Sequence, residues 1–272
     1  MRNFNNQSIV ITGAGSGLGK AIALRFARAG WSIAVADLNQ KRGEETVDEI
    51  TLLGGTAFFQ RCDVAKLEDI QALHEACDQR WGGVDVLVNN AGIASSIGPI
   101  DHVSMEEWQR IIDINLMGVV RGCHVFSGPM KKRGSGHIVN IASIAGITST
   151  PMLASYNAAK AAVIALSETL RWELKDKNIG VTVVCPALFP TNLTESIQVS
   201  GGVQQAMVKK EVAKSKLSAD DIAGAIYDAV LVNKFMLLPH KATRLQWWLK
   251  RLSPDMYQWF YSRQTAKKKP GK

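Results

Sequence analysis

Ser8-Ile9-Val10-Ile11-Thr12-Gly13-Ala14-Gly15-Ser16-Gly17-Leu18-Gly19 is the stretch on which the fold turns. A short apolar, β-branched run passes at once into glycines at positions 13, 15, 17 and 19, and then into a helical pattern that lasts to about residue 29. Strand, glycine-rich turn and helix in that order let a backbone approach a pyrophosphate, whose charge is favoured by the unpaired N–H groups and the dipole at the helix start. An ordinary tight βα turn is the plain alternative, so the motif gains its weight from residues further along the chain.

Outward from this turn the chain alternates apolar runs with longer amphipathic stretches, the pattern of a parallel sheet covered by helices on both faces. Strands are expected at 8–12, 32–37, 56–61, 84–89, 137–142, 181–185 and 235–238. Most are continuously apolar, as strands buried on both faces should be. Helices are expected at about 17–29, 40–53, 66–81, 105–133, 152–178 and 218–233. Ser218 is placed to cap the last of these, with Asp220 and Asp221 in its first turn. Residues 186–217 carry Pro186, Pro190, Gly201 and Gly202 without a strand signal and read as a long excursion of the functional-lid kind.

Asp37 adds a second element to the glycine turn. It closes the second strand 20 positions after Gly17, where a carboxylate accepts hydrogen bonds from an adenosine ribose. The same charge repels a 2′-phosphate, and Ser16 and Leu38 supply no compensating base, which favours NAD. Arg42 is near enough to keep NADP open.

At 272 residues, 46% apolar and 21% charged, the chain has ordinary globular composition and suits one large α/β domain. Cys62, Cys77, Cys123 and Cys185 form no paired spacing, which argues against a disulfide framework or a zinc site and fits a reducing, cytoplasmic setting. The first seven residues are polar, so a secretory signal is not expected. The net charge of +8 is uneven: residues 241–272 hold nine Lys or Arg and one acid, Asp255, leaving 32 − 9 = 23 bases and 24 − 1 = 23 acids before them. A nucleic-acid partner needs a basic face on the folded body, which this balance does not offer.

Further pieces occur in order: Asp63-Val64, Asn89-Asn90-Ala91-Gly92, Asn115, Ser143, Tyr156-xxx-Lys160, Pro186 and Thr191. Together with Thr12-Gly13-xxx-Gly17-x-Gly19 this ordered set resembles the classical short-chain dehydrogenases/reductases, over residues 8 to about 240. The resemblance implies a single doubly wound Rossmann-type domain with a seven-stranded parallel sheet, assembled as a homodimer or homotetramer. It also implies that the glycine loop with Gly13, Ser16, Gly17, Leu18 and Gly19 cradles the cofactor, and that Asp63 and Val64 flank its adenine. Asn89, Ala91 and Gly92 then line the cofactor channel, Lys160 binds the nicotinamide ribose, Pro186 and Thr191 cover the nicotinamide, and Asn115 holds a water linked to Lys160. Ala187 departs from the glycine usual after the proline.

The chemistry can be argued from the residues themselves. Reducing a carbonyl needs a hydride and a proton, and oxidising an alcohol needs both removed. Tyr156 can carry the proton if its pKa of about 10 is tuned by a nearby charge, and Lys160 at i+4 shares its helix face. Ser143 lies just after a strand at the carboxyl edge of the sheet and can hydrogen-bond the reacting oxygen. A Tyr-x-x-x-Lys pair alone is usually just an exposed helical pair; the ordered set is what favours catalysis. The rival classes are a dinucleotide-sensing scaffold that kept the fold without turnover and a membrane-tethering module whose business is its tail. Ile93, Ile144, Met152, Leu153, Leu188, Phe189, Leu193 and Ile197 offer an apolar substrate surface without a base to clamp an anion, so a small apolar alcohol or carbonyl compound is expected.

The expected domain therefore spans 1–240, with 241–272 an amphipathic helical extension whose last residues are expected to be disordered. Leu245, Trp248, Leu249 and Leu252 recur at i, i+3, i+4 and i+7 among basic residues. Ser253-Pro254-Asp255 opens a second short helix with Met256, Trp259 and Phe260 on one side. Such a stripe either packs on the body or a neighbouring subunit, or lies peripherally in a membrane interface.

Overall fold

The computed structural model describes residues 4–190 and 215–266. Thr191, Leu193, Ile197 and most of the expected excursion lie outside the described residues. Seven parallel strands form one sheet in the order β3-β2-β1-β4-β5-β6-β7, as expected of a doubly wound α/β fold. They are β1 (Ser8–Thr12), β2 (Ser32–Asp37), β3 (Thr56–Arg61), β4 (Val86–Asn89), β5 (Gly136–Ile141), β6 (Ile179–Val184) and β7 (Met236–Leu237).

The helices are α1 (Gly17–Ala27), α2 (Gln40–Leu52), α3 (Leu67–Trp81), α4 (Met105–Ile112), α5 (Gly118–Arg133), α6 (Ala145–Thr148), α7 (Ala154–Leu174), α8 (Ala219–Leu231), α9 (Lys241–Leu252) and α10 (Pro254–Ala266). Side chains alternate across β1, so Ile9 and Ile11 join α1 and α8 in one core layer while Val10 joins α3, α5 and α7 in the other. Every residue of β1, β4, β5 and β6 is buried, which accounts for their largely apolar sequence.

Order reverses between β1 and its two neighbours, β2 and β4, which places a crevice beyond the carboxyl ends of these strands. Ser218 caps α8 in a reciprocal capping box with Asp221. Two expectations need correction. The run 105–133 is not one regular helix, because a π-helical turn, Asp113–Met117, joins α4 to α5. The run 152–178 starts at Ala154 and leaves α-helix at Leu174, finishing as the 3-10 turn Lys175–Lys177.

Candidate active site

The glycine turn has the shape its sequence implies. Gly13 is left-handed at φ +66°, and a Cβ there would stand 2.9 Å from Ala91 Cα. A Cβ on Gly19 would stand 2.1 Å from the Gly13 carbonyl oxygen, so that helix and turn touch only because the residue is glycine. Asn90 Nδ2 donates to the carbonyls of Thr12 and Gly13 at 2.9 and 3.2 Å, while Thr12 Oγ1 accepts from the Asn90 and Ala91 N–H groups at 3.0 and 3.1 Å. Thr12 and Asn90 are thus the clasp that holds the loop. The sequence motif contains both without giving either a role; a polar pair beside two buried strand ends is the signal that could have found them.

Ser16 stands extended before α1 and makes no side-chain cap, and the first turn of α1 holds no acid. The N–H groups there remain suited to an anion. Leu18 turns its side chain into the core, leaving its main chain for such contact. Asp37 Oδ2 accepts from Gly15 N and Oδ1 from Asn39 N, both at 2.8 Å, which fixes the carboxylate beside the loop with lone pairs remaining for hydroxyl donors. A Cβ on Gly15 would lie 2.9 Å from Arg42 Cβ as well as from Asp37 Oδ2, so Arg42 does stand at this corner. Glycine cradle, uncapped helix start and carboxylate together fit a dinucleotide.

Asp63 and Val64 come after β3, where Asp63 Oδ1 accepts from Ala65 N at 3.0 Å and Val64 is buried against Gly118. Asn89 behaves differently from its neighbours. Its side chain is buried and donates to Asn140 Oδ1 at 2.9 Å and toward Cys123 Sγ at 3.4 Å, and Asn140 in turn donates to Ser167 Oγ at 3.0 Å. This amide chain ties β4, β5 and α7 together, so any lining role for Asn89 falls to its backbone.

The expected catalytic residues come together at the carboxyl edge. Ser143 stands near enough to the Tyr156 hydroxyl to influence its titration, and Ser143 Oγ accepts from Ala145 N at 3.1 Å. Lys160 Nζ lies 5.8 Å from the Tyr156 ring centroid and donates to the Ile141 carbonyl at 2.9 Å. Asn115 sits inside the π-helical turn, fully buried, with Oδ1 accepting from Ile93 N at 2.9 Å and Nδ2 donating to Ile93 O at 2.8 Å. A Cβ on Gly92 would approach Asn115 Oδ1 to 2.7 Å and Lys160 Nζ to 3.6 Å, so Gly92 is the gap across which these side chains meet. Because the Asn115 amide is committed to Ile93, a water link to Lys160 would fall to its main chain.

Burial dominates the electrostatics. It pushes the Tyr156 phenol up to about 12, with the neighbouring Ser143 hydroxyl acting the other way, and brings the Lys160 ammonium down to about 8, with the neighbouring Cys185 acting the other way. The charge tuning expected of Lys160 therefore does not prevail over desolvation at Tyr156 in the protein alone. Cys185, buried at the end of β6, carries a thiol itself raised to about 12 by burial. Its placement beside Lys160 was not read from the sequence.

Ser149 and Met152 are left-handed at φ +54° and +70° in the short segment between Ser143 and Tyr156, a local strain of the kind found at working sites. Pro186 is buried, and Ala187 N donates to His240 Nδ1 at 3.2 Å, tying this loop to the start of α9.

A glycine-cradled dinucleotide crevice beside a half-buried Ser-Tyr pair and a buried lysine defines the class of nucleotide-dependent oxidoreductases. The short chain dehydrogenase family model matches residues 7–200. A cyclohexanol dehydrogenase of Acinetobacter sp. is 38% identical over 190 residues, 70% of this chain and 76% of that protein. The probable oxidoreductase EphD of Mycobacterium tuberculosis is 34% identical over 242 residues, 85% of this chain, which spans 40% of that longer protein. A short-chain dehydrogenase/reductase from Burkholderia phymatum, solved in complex with NAD, has a TM-score of 0.87 and 31% identity, covering 94% of this chain and 96% of that one. The chain belongs to the short-chain dehydrogenase/reductase family.

Proposed function

We propose that this protein transfers a hydride between NAD and a small apolar alcohol or carbonyl compound, with Tyr156 exchanging the proton. The convergence of Ser143 and Lys160 on Tyr156, with Lys160 Nζ 5.8 Å from its ring centroid, is the observation that carries this reading. The cofactor supplies or takes up the hydride. Ser143 Oγ donates to the substrate oxygen and holds it beside the Tyr156 hydroxyl, which gives its proton to a forming alkoxide or takes one from an alcohol. Lys160, anchored on the Ile141 carbonyl, fixes the other side of the ring and offers its ammonium to the nicotinamide ribose. Asn115 braces Ile93 and, through Gly92, the wall of the same pocket.

NAD rather than NADP is supported by Asp37, whose charge faces the adenosine ribose position, and NAD is the ligand of the Burkholderia relative. The apolar substrate is supported by Ile93, Ile144, Met152, Leu153 and Leu188 around the site and by the cyclohexanol dehydrogenase relative. In this reading residues 1–240 are the catalytic domain of a cytoplasmic homodimer or homotetramer. The extension 241–272 serves peripheral contact with a membrane.

The test is a panel of cyclic, aromatic, steroid-like and long-chain carbonyl compounds assayed with NADH and with NADPH. Turnover of apolar members, with NADH at the higher kcat/KM, is the expected result. Turnover confined to anionic sugars or acids would reject the apolar substrate, and an NADPH preference would reject the role given to Asp37.

A further inference from the structure

We infer that the outward faces of α9 and α10 form a docking surface for an anionic lipid bilayer, an inference that rests on reading the extension as a peripheral membrane contact and assigns its partner and contact face. The helices are fixed to the body by a side the apolar repeat did not single out. Thr243 is buried, Trp247 packs into the core layer of α5 and α7, and Lys250 Nζ donates to the Ile147 carbonyl and, at 3.3 Å, to Ser149 Oγ. Tyr257 is buried with its hydroxyl donating to the Thr148 carbonyl at 3.1 Å. Apart from the half-buried Leu249, the repeat is left outside: Leu245 is 72% exposed, Trp248 53%, Leu252 75%, Met256 50% and Trp259 54%. Of the alternatives for this stripe, packing of these residues on the body of their own chain is not what the structure shows.

A face of this kind needs an occupant. Charge selects it. Among the described residues of the extension, Lys241, Arg244, Arg251 and Arg263 are exposed bases beside one exposed acid, Asp255, whereas residues 1–240 are balanced at 23 of each. A second copy is disfavoured, because an isologous contact would set one such basic surface against its twin. A bilayer with acidic headgroups matches both features at once: the apolar residues enter the headgroup boundary while the bases stay at the surface. Tryptophan suits that boundary, and Arg263 lies 4.0 Å from the Trp259 ring centroid, pairing cation and ring on the exposed side. No helix among the described residues is long and apolar enough to cross a membrane, so contact by these helices is in the plane of the interface.

Full-length protein should be co-sedimented with vesicles of phosphatidylcholine alone and of phosphatidylcholine mixed with phosphatidylglycerol. Binding at least tenfold tighter to the mixed vesicles, weakened by salt, is expected. The triple variant Leu245→Glu, Trp248→Glu, Leu252→Glu should lose about tenfold or more while keeping the wild-type circular dichroism. Should that variant not fold, Arg251→Glu with Arg263→Glu, both exposed, tests the same surface by charge. Tyr156→Phe should bind vesicles like the wild type, which separates this surface from the catalytic reading. Vesicle binding that ignores lipid charge or survives these substitutions would overturn the inference while leaving a peripheral contact standing; no vesicle binding at all would remove both. A lower sedimentation mass in the triple variant would assign the face to subunit contact and overturn the inference as well.

Discussion

At the scale of single residues the site is built from short distances that substitutions should read. Gly92 is an example: any Cβ there meets Asn115 Oδ1 at 2.7 Å, and this amide holds Ile93. Gly92→Ala is expected to lower kcat by about tenfold or more, the scale of a misplacement in a catalytic group, with the melting temperature little changed; full activity would show that the gap is not needed. Asp37→Ser is expected to raise kcat/KM with NADPH relative to NADH, since it removes the charge that faces a 2′-phosphate, and an unchanged ratio would show that Arg42 already governs the choice. The place of Asp37 beside the glycine turn was legible because it closes the second strand next to the first. The roles of Thr12 and Asn90 were not, because a hydrogen-bonded clasp between β1 and β4 depends on pairing that only the folded sheet creates.

Among the elements, strands were read almost residue for residue because burial on both faces leaves an apolar signature that needs no partner to be recognised. The π-helical turn at Asn115 was not readable. Its neighbours continue a helical pattern, and one extra residue in a turn changes hydrogen bonding without changing composition. The tail shows the opposite failure. Periodicity correctly gave two helices and the apolar stripe of Leu245, Trp248 and Leu252, but it left the role of that stripe open and did not single out Trp247, Lys250 and Tyr257, the residues that the body takes. A basic side chain reaching a main-chain carbonyl and a hydroxyl at the end of α6 leaves no hydropathy signal. Tyr257→Phe removes the hydroxyl that serves Thr148 O and should cost about 1 kcal/mol of unfolding free energy, measured by denaturant titration; no loss would mean that this docking is not maintained in solution.

For the whole molecule, the buried titrating groups set a stability profile with pH. Lys160, down from 10.5 to about 8, binds fewer protons folded than unfolded in that interval, so it makes stability rise with pH from about 8. Cys62, Cys77, Cys123 and Cys185, up from 9.0 to about 12, and Tyr156, up from 10.0 to about 12, bind more protons when folded and make stability fall as pH rises through those intervals. Four thiols outweigh one amine, so melting temperature under reducing conditions should peak near pH 9. Lys160→Met should lack the rise between pH 8 and 9; a wild type that declines steadily from pH 8 would contradict the balance. Proton exchange at Tyr156 is the centre of the proposed function. Its most direct test is a comparison of wild type and Tyr156→Phe by NADH titration and by turnover on an accepted apolar carbonyl. Unchanged NADH affinity with kcat lowered by about 10²- to 10⁴-fold is the expected result; NADH binding with turnover that does not depend on Tyr156, or with no turnover of any carbonyl in the panel, would contradict it, the latter leaving a dinucleotide-sensing protein.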